Sequence, residues 1–145
     1  MAFTGNYACD AFKTGLMDGI YNFGVGTGHV FKIALYTNAA TLNASTAGYT
    51  SVGEVSSTGY TAGGAILTVG VPPTNSNDIS YLSFDDISWS GTTLTARGAL
   101  IYKYDGATNP AVCVLDFGSD KTTTNGTFTV QFPSATSTSA VIRIS

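Results

Sequence analysis

The chain has 145 residues, a formal net charge of −3 and only 10% charged residues, while Ser and Thr together make up about a quarter of it. That length is about one domain with enough core to fold without staples, and the surface must be hydroxyl-rich rather than ionic. No Lys or Arg run is present to attract phosphate backbones, so nucleic acid is excluded as a partner. No apolar stretch approaches the roughly 18 residues of a spanning helix, which argues against a membrane. Met1-Ala2-Phe3-Thr4-Gly5 lacks the basic start and apolar core of a signal peptide, and synthesis in a reducing cytoplasm is expected. Cys9 and Cys113 are then expected to be buried free thiols, Cys113 within the apolar run 111–115.

Residues 1–28 read as an N-terminal arm with a short amphipathic helix. Cys9, Phe12, Leu16, Ile20 and Phe23 recur at spacings of three and four, Asp10 is available as a cap, and Gly15 and Gly19 each weaken the helix by about 1 kcal/mol relative to Ala. Such a segment is helical only when docked on something. Gly24-Val25-Gly26-Thr27-Gly28 leaves a helix and enters a strand, the reverse of the order a phosphate-cradling loop needs, and is expected to be a flexible linker.

Residues 29–145 read as an antiparallel β-sandwich, with short alternating segments closed by Gly, Asn, Pro or Ser. Phe31, Ile33 and Leu35 form one inward set; Leu67, Val69 and Val71 a second; Leu94, Ala96, Leu100 and Tyr102 a third; Phe128, Val130 and Phe132 a fourth; Ile142 and Ile144 a fifth. The parity slip from Phe84 to Ile87 suggests a bulge at Asp85-Asp86. Residues 72–78, opening on Pro72-Pro73, are expected to form a loop, and residues 105–110 a hairpin connection. The stretch from Thr41 to Gly64 is poor in large apolar groups and reads as an exposed arm or weak edge strands.

Chemistry-bearing motifs are scarce. The single histidine, His29, has no nucleophile or carboxylate near it in sequence and is expected to be structural. Asp78, Asp85, Asp86 and Asp105 lack the spacing of a calcium loop and suit turns. Asp85 and Asp86 would point to opposite sides of a strand, which rules out a carboxylate pair flanking one glycosidic bond. No cofactor, no metal and no enzymatic activity is expected.

Several strings in fixed order carry a resemblance: residues 31–37 (FKIALYT), 54–64 (EVSSTGYTAGG), 96–102 (ARGALIY), 114–118 (VLDFG), 130–133 (VQFP) and 142–144 (IRI). From about Phe12 to its end the chain resembles small structural proteins of tailed-bacteriophage virions. The resemblance implies a capsid cement or decoration protein that binds the phage major capsid protein, sits on the capsid surface and forms a dimer or trimer. A phage tail or fibre-associated structural or receptor-binding module is the alternative, in which Trp89, Tyr49 or Tyr60 would form an exposed stacking platform. The fold expected is a jelly-roll-like antiparallel β-sandwich after a short helix. The expected partner contacts are Phe12, Leu16, Ile20 and Phe23 on the helical stripe, with Tyr49 and Tyr60 on the 41–64 stretch.

Overall fold

The computed structural model describes residues 3–145; Met1 and Ala2 lie outside the described residues. Among the described residues eight strands form two antiparallel sheets with one helix: β1 (Tyr7–Ala8), α1 (Asp10–Met17), β2 (Phe31–Tyr36), β3 (Ala65–Leu67), β4 (Val69–Ser76), β5 (Ile79–Phe84), β6 (Ile87–Lys103), β7 (Ala111–Val130) and β8 (Ile142–Ile144). The larger sheet runs β1-β7-β6-β2-β3 and the smaller β4-β5-β8. This is the expected all-β architecture of two sheets. The consecutive pairs β2–β3, β4–β5 and β6–β7 are direct antiparallel neighbours.

The centre of the large sheet is covered on both faces. Residues opposite one another in register share a face, so Ile33, Ile101 and Cys113 lie on one side and Lys32, Tyr102 and Ile66 on the other. The first side packs on an aromatic cluster that joins the sheets, where Phe23 stacks on Phe31 at 4.3 Å and both approach Phe84 of β5. The second side is covered by residues 37–64, with Leu42 and Val55 buried and Tyr49 stacked on Tyr102. That stretch is therefore not an exposed arm, and it pairs with the sheet only at single bridges such as Tyr36 to Glu54. Its backbone polar groups are satisfied by isolated bridges such as Tyr36 to Glu54 and by side chains.

The N-terminal segment belongs to this same core rather than standing off as an arm, since Phe3, Cys9, Phe12, Tyr21 and Phe23 are all buried in one cluster with the strands. The helix is shorter than the stripe implied. Cys9, not Asp10, is its N-cap residue, and no side chain caps it. Gly19, at φ +70, ends it: Gly19 N donates to Leu16 O at 3.3 Å and Ile20 N to Gly15 O at 2.8 Å, the paired bonds of a left-handed C-terminal cap. Residues 22–29 are closed by two bonds between Asn22 and His29, in which His29 N donates to Asn22 O and Asn22 N to His29 Nδ1. The expected flexible linker is thus a pinned turn, and His29 has a structural role.

Two turn assignments are corrected. Pro72 and Pro73 lie within β4, an edge strand whose register shifts on either side of Val71, where missing N–H donors cost no ladder bond. The turn is only Asn77-Asp78, both left-handed at φ 53 and φ 61, closing a two-residue hairpin between Ser76 and Ile79. The parity slip at Asp85-Asp86 is not a bulge. It is the passage from β5 in one sheet to β6 in the other.

Candidate interaction surfaces

Three features of the fold carry its polar and apolar contacts, the first inside the 37–64 stretch. The Glu54 carboxylate accepts three bonds, from Tyr49 Oη at 2.6 Å, Tyr60 Oη at 2.6 Å and Gly63 N at 2.7 Å. Tyr60 Oη in turn accepts from Leu35 N of β2 at 2.9 Å, while Tyr36 donates to Thr50 O and Tyr102 to Gly63 O. Burial, then the bond to Glu54, pushes the Tyr49 hydroxyl up to about 12. Desolvation likewise raises Tyr36, Tyr60 and Tyr102. Hydrogen bonds to an ionised acceptor in a partly dry site are about twice as strong as neutral ones. The cluster is a tie that holds the stretch on the sheet.

The second surface is an apolar groove of about 880 Å³ between α1, β7 and β8, lined by Leu16, Leu115, Phe117, Phe132, Ile142 and Ile144 among others. A smaller recess of about 300 Å³ continues it past Phe12, Tyr21 and Tyr81. Met17, 83% exposed, and Ile144, 49% exposed, stand at its rim. Of the charges along it, Lys13 Nζ pairs with Asp10 at 2.8 Å and Asp116 with Arg97 at 3.4 Å. Arg143 has no acidic partner among the described residues and donates its Nε to Ser137 O. Cys113 also lines the groove, yet burial pushes its thiol up to about 12, and Cys9 to about 11 by the same cause, which disfavours the thiolate of each at neutral pH. Both are free and buried, as the sequence implied.

The third surface is the outward side of the β6–β7 hairpin, where Ser90, Thr93, Thr95, Thr122, Thr124 and Thr127 are exposed. Cross-strand hydroxyl pairs brace it, Ser88 with Thr129 at 2.7 Å and Thr95 with Thr122 at 2.9 Å. Its reverse side is dry, with Trp89, Leu94, Ala96 and Phe128 buried. Thr92, buried between them, bonds Thr123 and Gly126 O, so its hydroxyl is satisfied. The free edge of β7 is blocked locally, because Asn6 Oδ1 accepts from Asp116 N at 2.7 Å and Asp116 Oδ1 accepts from Gly118 N.

Most of the residues assigned to partner contact fall elsewhere. Phe12 and Phe23 are core, since the stripe that drives the helix onto a surface is used up on the chain's own sheets. Tyr49 and Tyr60 are half-buried in the Glu54 tie. Leu16 is half-buried in the groove wall, and Ile20 alone of the six is exposed, at 40%. Trp89 is buried between Tyr60 and Phe128, at ring separations of 6.0 and 6.3 Å. A stacking platform from Trp89, Tyr49 and Tyr60 is therefore absent. Asp105 closes its own hairpin loop, accepting from Ala107 N and Asn109 N at 2.9 Å each, bonds that bring its carboxyl down to about 2. Among the described residues no three His, Cys, Asp or Glu side chains converge on one point. Sequence reasoning missed the groove and the Glu54 tie, whose only signal was a lone acid in a stretch with two tyrosines.

The class these features define is an all-β protein of two packed sheets that carries an apolar groove and a hydroxyl-rich strand face. Comparison with family models, curated proteins and solved structures finds no match to this chain.

Proposed function

We propose that the protein is a structural component of a bacteriophage virion that binds the major capsid protein and stabilises the shell as a cement or decoration protein. The observation that carries the reading is the outward side of the β6–β7 hairpin: broad, neutral, and stiffened from behind by a buried row of side chains. A protein that braces neighbouring shell subunits needs such a face more than a pocket. Many copies bound through weak, identical contacts sum to strong attachment. Neutral hydroxyls make hydrogen bonds without the desolvation cost of buried ions. The virion resemblance of the strings from Phe31 to Ile144 supports the same reading. The tail or fibre alternative draws no support from the aromatic residues, since Trp89 is buried and Tyr49 and Tyr60 are tied to Glu54.

Separating virion heads from tails and quantifying this chain by mass spectrometry tests the proposal. The expected result is the chain in the head fraction in many copies per particle. Its presence in tails alone would overturn the reading.

A further inference from the structure

Of the chain's asparagines only Asn125 is followed by glycine. It is exposed, left-handed at φ 46, and lies in β7 where the register against β6 shifts on both sides of the Thr92–Gly126 pair. Its backbone is pinned and its side chain is not. Asn125 N donates to Thr93 Oγ1 at 3.1 Å, whereas the side-chain amide has a single hydrogen bond among the described residues, a long one of 3.5 Å from Thr93 Oγ1. The other asparagines differ. The Oδ1 atoms of Asn6, Asn22 and Asn43 each accept a backbone amide, at 2.7, 2.9 and 2.8 Å. Asn109 Oδ1 accepts two, at 3.0 and 3.1 Å, and the following Pro110 has no N–H. Asn38, Asn75 and Asn77 precede Ala39, Ser76 and Asp78, each of which carries a Cβ beside its nitrogen.

We propose that Asn125 is a site of spontaneous deamidation in the folded protein. The Gly126 amide nitrogen, yielding its proton to water, attacks the Asn125 side-chain carbonyl carbon; the new C–N bond closes a five-membered succinimide and ammonia leaves. Gly126 has no Cβ to hinder that approach. Water, the only co-reactant, then opens the ring. Addition at the side-chain carbonyl gives aspartate, and addition at the backbone carbonyl gives isoaspartate, which carries one extra carbon in the backbone. Either product places a carboxylate beside Thr93 on the hydroxyl-rich side of the hairpin and makes the net charge of −3 one unit more negative. That is the face proposed for shell contact, yet the reaction needs no partner, so its test is separate from that of the shell reading.

The test is peptide mapping by mass spectrometry of the purified, folded chain held in warm, mildly alkaline buffer, with isoaspartate detected by enzymatic methylation. Asn125 should convert first, with isoaspartate in its peptide, while the seven other asparagines stay intact over the same period. Gly126→Ala is the decisive variant. Gly126 is not left-handed, and a Cβ there meets nothing nearer than Thr124 O at 3.6 Å, so the fold is kept. Hindering the attacking nitrogen raises the barrier, so this variant should convert about tenfold more slowly at an unchanged melting temperature. Conversion at Asn125 no faster than at the other asparagines, conversion confined to the urea-unfolded chain, or Gly126→Ala reacting at the wild-type rate would each overturn the proposal.

Discussion

The hydroxyl of Tyr60 stands between two partners, donating to Glu54 Oε1 at 2.6 Å and accepting from Leu35 N of β2 at 2.9 Å. One side chain therefore links the 37–64 stretch to the central sheet through a carboxylate and a strand amide. Replacing Tyr60 by Phe removes both bonds and leaves the amide without its partner, which costs about 1–3 kcal/mol. Glu54→Ala, which strands three donors, should cost more than Tyr60→Phe. Urea denaturation of the two variants checks this, and equal stability of Glu54→Ala and wild type would show that the tie does not hold the stretch.

Alkaline pH should unfold the protein early. Tyr21 and Tyr49 are raised to about 12, and Tyr36, Tyr60 and Tyr102 are raised as well, each chiefly by burial. A group whose folded pKa lies above its unfolded value of about 10 favours the native state fully below pH 10. That contribution is lost as pH rises through the folded value. Cys9, at about 11, and Cys113, at about 12, add the same trend from about pH 9 upward. Melting temperature should hold from pH 7 to 9 and then fall steadily to pH 12. A flat profile to pH 12 would contradict the burial of these groups.

Gly15→Ala gives a test of sign. Helix propensity alone makes the substitution stabilising by about 1 kcal/mol. In the fold a Cβ at Gly15 would run into the Tyr21 ring, and Tyr21 is itself fixed by donating to Ala111 O at 2.8 Å. Overpacking of this kind costs about 1–3 kcal/mol, so the variant should be less stable than wild type. A rise in melting temperature would show that Tyr21 does not pack on the helix.

Phe128→Asp should cost several kcal/mol, because it removes a buried ring and places a carboxylate among Trp89 and Phe117. Thr129→Asp, on the exposed side, loses one hydroxyl pair with Ser88 and should cost about 1 kcal/mol. Thermal melts of the pair decide it. Equal losses would mean that the two faces of β7 are misassigned.

Legibility followed periodicity. Phe128 and Val130 are buried and Thr127, Thr129 and Gln131 exposed, as alternation in a half-buried strand requires. Near Ala34, Tyr36, Ala99 and Ile101 the rule weakened because both faces of the sheet are covered, so parity no longer sorts inside from outside. The apolar stripe outruns the helix because Ile20 and Phe23 keep the spacing after Gly19 has ended it, and Phe23 reaches the core from a turn. Residues 41–64 read as exposed because few are large and apolar; what holds them is one acid, several tyrosines and backbone bonds, which carry no periodic signal. The groove is assembled from α1, β7 and β8, segments so far apart in the chain that no local pattern marks it.

The most direct test of the central claim is retention of the protein on purified phage heads as salt and denaturant are varied. At 1 M salt the Debye length is about 3 Å, so charge pairs are screened while neutral hydrogen bonds persist and apolar contacts hold or strengthen. Pelleting heads from 1 M sodium chloride should leave the protein on the shell, and pelleting from mild urea should release it. Release by salt alone, with retention in urea, would contradict attachment through a neutral face.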